Sequence, residues 1–135
     1  MNKDDVLDIV SDAGFAMLAT MDGDQPRVRP LAPYYSEDGE LLVGLLPNCR
    51  TISQVKANPK VELCFVDRKM AFCRITGSAS IVEDEGKKTE LWDNVPNLKM
   101  YFSGPQDPNY NLMVIKIEEV EASTPQRMEP EKIDF

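Results

Sequence analysis

The 135-residue chain is 42% hydrophobic and 28% charged, a balance that supports one packed domain and argues against disorder. Its 15 basic and 23 acidic residues leave a net charge of −8, which opposes non-specific nucleic-acid binding. Histidine is absent, so one chain can build no Ser-His-Asp triad, Cys-His dyad or His-ligated metal site, and an enzyme of this composition leans on a cofactor.

Asn2 to Ala13 reads as a helix. Val6, Ile9, Val10 and Ala13 repeat at helical spacing, Asn2 can cap the start, and Gly14 supplies the stop. Phe15–Thr20 is an apolar strand, and the Asp22-Gly23 that follows is a hairpin signal. Arg27–Tyr35 is its return strand, where Pro30 and Pro33 call for an edge, a bulge or a bend. After a turn at Ser36–Gly39, Leu41–Leu46 reads as a buried strand.

A second helix runs from Asn48 to Asn58, with Ile52 and Val55 inward, and ends because Pro59 pushes Asn58 out of helical geometry. Val61–Val66 and Met70–Val82 are strands. The odd face of the longer one (Ala71, Cys73, Ile75, Gly77, Ala79, Ile81) is small or apolar, as a tightly curved barrel wall requires. Asp84–Val95 is a polar helix anchored by Leu91, Trp92 and Val95, and helical spacing favours packing over ligand stacking for Trp92. Leu112–Val120 is the last strand, Glu118, Glu119 and Glu121 its solvated edge, and the segment from Ser123 a loosely held acidic tail. The expected fold is mainly β: six strands with short peripheral helices make a small, mainly antiparallel barrel over residues 1–122, with a tail at 123–135.

No apolar run reaches the roughly 20 residues of a membrane span. The acidic opening, Met1-Asn2-Lys3-Asp4-Asp5, is unlike a leader peptide. A cytoplasmic protein with no membrane or nucleic-acid partner is expected. Cys49, Cys64 and Cys73 are odd in number and contain no Cys-x-x-Cys pair, so neither a disulfide framework nor a zinc knuckle is indicated.

Charge is unevenly spread. Residues 1–24 carry −5 and residues 75–135 carry −6, whereas residues 25–74, with Arg27, Arg29, Arg50, Arg68 and Arg74, carry +3. Arg27 and Arg29 share a strand face, and Arg50 stands in the first turn of the second helix. A helix N-terminus binds phosphate through unpaired N–H groups, and guanidinium groups add bidentate hydrogen bonds. The same spacing also suits two surface arginines paired with Glu37, Glu62 or Asp67.

The order Ala19-Thr20, Asp22-Gly23, Gln25-Pro26-Arg27-Val28-Arg29-Pro30, Asn48-Cys49-Arg50, Asn58-Pro59-Lys60-Val61, Arg74-Ile75-Thr76-Gly77 and Asp107-Pro108-Asn109-Tyr110 resembles the pyridoxamine 5′-phosphate oxidase-like FMN-binding split-barrel family, in its general stress protein 26 branch. The resemblance covers about Asp4 to Glu121. It implies that the six-stranded antiparallel barrel is a split barrel, in a homodimer with two FMN molecules at the subunit interface, a strand Arg29-Pro30-Leu31-Ala32 along the flavin, and Arg29 on its phosphate. The family's Ser-Arg-Lys at the second helix stands here as Cys49-Arg50-Thr51, and a threonine usual on the preceding strand stands as Leu45. Asn48, Cys49, Arg50 and Thr51 would thus hold the phosphate.

True pyridoxamine phosphate oxidases hold substrate with an arginine-histidine signature that this chain lacks. The implied function is an FMN-dependent oxidoreductase of another small molecule, with NAD(P)H as a candidate reductant. The alternative is a flavin- or cofactor-binding stress or sensing protein without turnover. Haem fits less well without a histidine ligand. A homodimer is also expected because the apolar strands Leu41–Leu46 and Leu112–Ile117 need more cover than three short helices provide. Cys49, beside Arg50 at a helix start, reads either as a reactive thiol or as a neutral space-filler.

Overall fold

The computed structural model describes residues 1–127 and 129–135. Helix α1, Lys3–Ala13, begins in a reciprocal capping box: the Asn2 side chain accepts from the Asp5 N–H, and the Asp5 carboxylate accepts from the Asn2 N–H. It stops at Gly14, whose φ of 76° places it in the left-handed region. Val6 and Ile9 bury its inner face.

Strands β1 (Ala16–Asp22) and β2 (Gln25–Leu31) form the predicted hairpin, with Asp22 paired to Gln25 across Gly23-Asp24. Gly23 takes φ 62°, which a side chain would resist. The expected return strand then divides. Ala32 and Pro33 interrupt it, and Tyr34–Tyr35 forms a separate strand, β3, on the far edge of the sheet. Proline lacks the N–H that a ladder needs, so the break falls where the sequence calls for one.

Strands β4 (Leu41–Leu45), β5 (Lys60–Val66), β6 (Phe72–Val82) and β7 (Asn111–Ser123) complete the main path, in the order β2-β1-β5-β6-β7-β4-β3. Every pairing is antiparallel. The two ends of this path, Leu31 and Tyr34, are three residues apart in the chain, hence within about 10–11 Å. The sheet must therefore curl until its edges meet, yet no ladder joins β2 to β3 or β4. The barrel is split, and its seam is closed by the chain and by side chains.

Two cores result. Inside the barrel lie Leu18, Leu41, Val43, Leu63, Phe65, Cys73, Ile75, Met113 and Ile115, closed by Val6 and Ile9 of α1 and Val55 of α2 (Arg50–Ala57). On the outer face of β4 and β7, Leu42, Leu112 and Val114 pack under Leu91, Leu98, Phe102 and Tyr110. That cover comes from α3 (Glu85–Asn94), the 3₁₀ helix Pro96–Met100 and the loop beyond it. Trp92 packs 6.3 Å from the Tyr110 ring, as helical spacing predicts. Gly77 sits where β6 meets a bulge in β7: a Cβ there would lie 2.6 Å from the Lys116 carbonyl oxygen.

Several expectations need correction. Eight strands form among the described residues, not six. The tail is not loose: Glu131–Ile133 forms β8 against Val120–Ala122, Ile133 is buried, and Phe135 meets the Tyr35 ring edge-on at 5.8 Å. Of the β7 glutamates, Glu118 and Glu119 are exposed on the short stretch of edge between the β4 and β8 pairings, as expected, whereas Glu121 is paired on both sides, with Arg74 and Lys132. The run Leu41–Leu45 and the stretch Leu112–Ile115 are already covered within one chain.

The exposed apolar face lies elsewhere. On the outer side of the β2-β1-β5 sheet, Met17 stands opposite Pro30 and Cys64, Ala19 opposite Val28, and Met21 opposite Pro26. Val28 is 60% exposed. No helix among the described residues is long and apolar enough to cross a membrane.

Candidate functional site

A cavity of about 480 Å³ occupies the seam, between the end of β2 and the end of β4. This volume falls in the range of small-molecule sites, roughly 300–1,000 Å³. Its walls are mostly apolar. Val43, Gly44, Leu45 and Leu46 come from β4 and its exit, Leu91 and Val95 from α3 and its end, and Leu98, Met100, Tyr101 and Phe102 from the segment that follows.

Its polar end is built from Arg29, Cys49 and Thr51. The inward face of β2 carries Arg29, opposite Leu18 of β1. One guanidinium nitrogen donates to the Thr20 hydroxyl at 2.7 Å and the Leu18 carbonyl at 3.2 Å; the other donates to Gln54 Oε1 at 2.6 Å. Thr20 donates to the same Gln54 oxygen at 2.6 Å. Thr20 and Gln54 are both buried, so this network fixes the guanidinium from behind. Burial lowers the Arg29 pKa, while the nearby Cys49 thiolate would raise it.

Arg29 differs from its neighbours in charge compensation. Arg27 pairs with Asp22 at 3.6 Å, Arg74 with Glu121 at 2.6 Å, and Arg68 with Asp12. Among the described residues no carboxylate lies within ion-pair distance of Arg29 or Arg50. Arg29 is therefore a half-buried cation held by neutral acceptors, facing a cavity.

Helix α2 begins at that cavity. Its N-cap, Cys49, makes no side-chain capping bond, and its first turn holds no acid. By contrast, α1 is capped by Asn2 and α3 by Asp84, which accepts from the Lys87 N–H. The Ile52 N–H donates to the Cys49 carbonyl at 3.2 Å, which leaves the N–H groups of Arg50 and Thr51 to find another acceptor. Thr51 is 94% buried, since only 6% of it is exposed, and it lines the cavity. Its hydroxyl makes no hydrogen bond among the described residues.

The structure therefore brings Arg29, Pro30, Leu31, Ala32, Cys49 and Thr51 to one cavity, with Leu45 on the opposite wall. Asn48 and Arg50 do not line it. Both are exposed, and Asn48, at φ 63°, turns the chain into α2. Tyr101 stands 60% exposed at the rim, whereas Phe102 is buried and stacks on Tyr110 with ring centroids 5.0 Å apart.

Thr20 and Gln54 escape a sequence reading centred on charge. Each occupies a core position with a polar side chain: Thr20 alternates with Ala16 and Leu18, and Gln54 sits beside Val55 on the inner face of α2. A polar residue in an apolar series is the signal that could have found them.

Residues 2–126 match the model of a family described as pyridoxamine 5′-phosphate oxidase like. Among solved structures, general stress protein 26 from Bacillus anthracis is 27% identical, with 98% of each chain covered and a TM-score of 0.80. A NimC/NimA family protein from Clostridium acetobutylicum is 26% identical, with 96% of this chain and 89% of that one covered and a TM-score of 0.83. A pyridoxamine 5′-phosphate oxidase-related, FMN-binding protein from Nostoc punctiforme shares the fold at 14% identity and a TM-score of 0.79, with 96% of this chain and 88% of that one covered. No curated protein matches the chain.

Proposed function

The chain belongs to the pyridoxamine 5′-phosphate oxidase-like family, and from that premise we propose that it binds FMN in the seam cavity and acts as an FMN-dependent oxidoreductase on a small molecule. The observation that carries this reading is Arg29: half-buried, without a carboxylate partner, and aimed by Thr20 and Gln54 at a cavity with apolar walls. A ligand with an anionic end and a flat apolar body fits that division. Arg29, the Thr51 hydroxyl and the first N–H groups of α2 would hold the phosphate, and the residues from Pro30 to Ala32 would flank the ring. When bound, FMN supplies the electron or hydride transfer that no side chain here can perform. The protein's share is to fix the phosphate, orient the ring between β2 and β4, and exclude water with Leu98, Met100 and Tyr101.

The proposed active form is a homodimer. Support comes from the apolar outer face of β2-β1-β5, where Met17, Val28 and Pro30 lie exposed. The Arg74 Nε of the adjoining β6 is buried without a hydrogen-bond partner. Pro30 belongs both to that face and to the cavity wall, so a second subunit there would also close the ligand site. Sedimentation at micromolar concentration tests this, and a monomer would remove the shared-site proposal.

The missing histidine excludes the substrate-holding signature of true pyridoxamine phosphate oxidases, so another substrate is proposed, with NADH or NADPH as reductant. The test is a visible spectrum with added FMN, followed by NADH or NADPH without oxygen. Bleaching of a bound flavin supports the enzyme. Bound flavin that stays coloured favours the non-catalytic binding protein, and no bound flavin refutes both.

A further inference from the structure

The cavity's polar end contains one group that phosphate recognition does not require. Cys49 lines the cavity and is partly exposed. It stands at the N-cap of α2, yet its side chain accepts no hydrogen bond from the first-turn N–H groups. Arg29 shares the cavity and lies close enough to feel the charge of a thiolate. The neighbouring Thr51 is 94% buried as a residue, since 6% of it is exposed, and lines the same end. Its hydroxyl makes no hydrogen bond among the described residues, which leaves it free for a group from outside.

The other two cysteines differ. Cys73 faces the barrel core and is fully buried. Cys64 lies on the outer face of β5, opposite Met17. Burial pushes both thiols upward, toward the unreactive form.

We infer that Cys49 is a peroxide-sensitive thiol whose oxidation closes the anion end of the cavity. This rests on the flavin reading for the ligand that is lost, although the modification itself does not. The thiolate sulfur attacks one oxygen of hydrogen peroxide. An S–O bond forms, the O–O bond breaks, sulfur loses two electrons, and the departing hydroxide takes a proton and leaves as water. The product is a sulfenic acid. Its added oxygen occupies the mouth of α2 and accepts hydrogen bonds from Arg29 and the first-turn N–H groups, in competition with a phosphate. No second cysteine lines the cavity, so no disulfide forms there and an external thiol can restore the site.

The test uses the full chain, hydrogen peroxide, dimedone to trap sulfenic acid, and mass spectrometry to read each cysteine. Cys49 should be trapped at least about tenfold faster than Cys64 or Cys73. Peroxide should raise the FMN dissociation constant about tenfold or more, and dithiothreitol should reverse it. In Cys49→Ser, FMN affinity should not respond to peroxide, whatever its starting value; in Cys64→Ser it should respond as in the parent. Equal trapping of all three cysteines overturns the inference, as does unchanged FMN affinity with Cys49 fully oxidised. If the untreated protein binds no FMN, the flavin reading falls by itself. Protection of Cys49 from iodoacetamide by inorganic phosphate then decides the matter: protection sustains the inference, and its absence ends it.

Discussion

The wall and the seam of this barrel are built on opposite rules. From β5 through β6 to β7 the sheet is sealed by long ladders, interrupted only by the bulge in β7 beside Gly77, and along β5 and β6 inward residues alternate with outward ones. Between β2 and β4 there is no ladder, only the link through Ala32 and Pro33 and a cavity. A sealed wall stores stability, because each inward side chain is surrounded by others. The seam gives up some of that packing and gains concave space next to a fixed cation. Changes in the wall should therefore register as folding stability, and changes in the seam as ligand affinity.

The largest expected effect lies in the wall. Gly77→Val places carbon where the Lys116 carbonyl oxygen would lie 2.6 Å from Cβ and Ile115 Cγ2 2.8 Å. Neither the β7 backbone nor the packed Ile115 can withdraw cheaply, so urea unfolding should show a loss of about 4 kcal/mol. A loss below about 1 kcal/mol would mean that the wall yields as readily as the seam.

Alkaline pH should strike the wall next. Burial pushes the Cys73 thiol from 9.0 to about 12. The folded state thus keeps the neutral form, which the unfolded chain loses near its ordinary value. The stabilisation is complete below pH 9 and disappears as pH rises toward 12, on the order of 4 kcal/mol in all. Tyr110, also raised to about 12, adds to the decline from pH 10 upward. Cys73→Ala should flatten the fall between pH 9 and 11.5. An unchanged slope would assign the decline to other groups.

In the seam, Arg29→Ala should weaken FMN by about 1.5–3 kcal/mol, roughly 10- to 150-fold, through loss of a charge-assisted contact. Stability should change little, because Gln54 Oε1 keeps its bond from Thr20. Arg50→Ala should have a smaller effect on FMN, because Arg50 is exposed and outside the cavity lining, and Arg68→Ala a smaller effect still. Isothermal titration ranks the three. Equal losses from all would place the phosphate away from Arg29.

The same contrast explains what was legible beforehand. The wall shows in the two-residue alternation of Cys73, Ile75, Gly77 and Ala79, and α1 in Asn2, its apolar spacing and Gly14, because these signals are local. The prolines announced the break after β2. They could not show that Tyr34-Tyr35 crosses to the other edge, since that depends on the closure of the whole sheet. Strand β8 is three residues long, too short for any period to reveal it, and it pairs with the end of β7 across a segment that carries no regular pattern. Arg29 was legible as a cation on a strand. Its orientation was not, because Gln54 lies 25 residues away, and no spacing rule links a strand to the inner face of a helix beyond an intervening hairpin.

The smallest effect probes that orientation most directly. The family resemblance places Thr51 at a lysine position, and the residue lines the cavity with Arg29 and Cys49. In Thr51→Lys the buried position leaves the long side chain one open direction, into the cavity. Without ligand its ammonium meets the Arg29 guanidinium, a repulsion that costs some stability. A bound phosphate removes that repulsion and adds an attraction. The helix N-terminus already favours the anion, and a lysine loses rotamer freedom when it is fixed, so the net tightening of FMN should be about 1 kcal/mol. Added salt should shrink the gain. Riboflavin has the same ring and no phosphate, so it should gain nothing or lose affinity. Titration of both ligands against both proteins gives the answer. Equal tightening of riboflavin would show that residue 51 faces the ring, which would reverse the direction in which FMN lies along the seam.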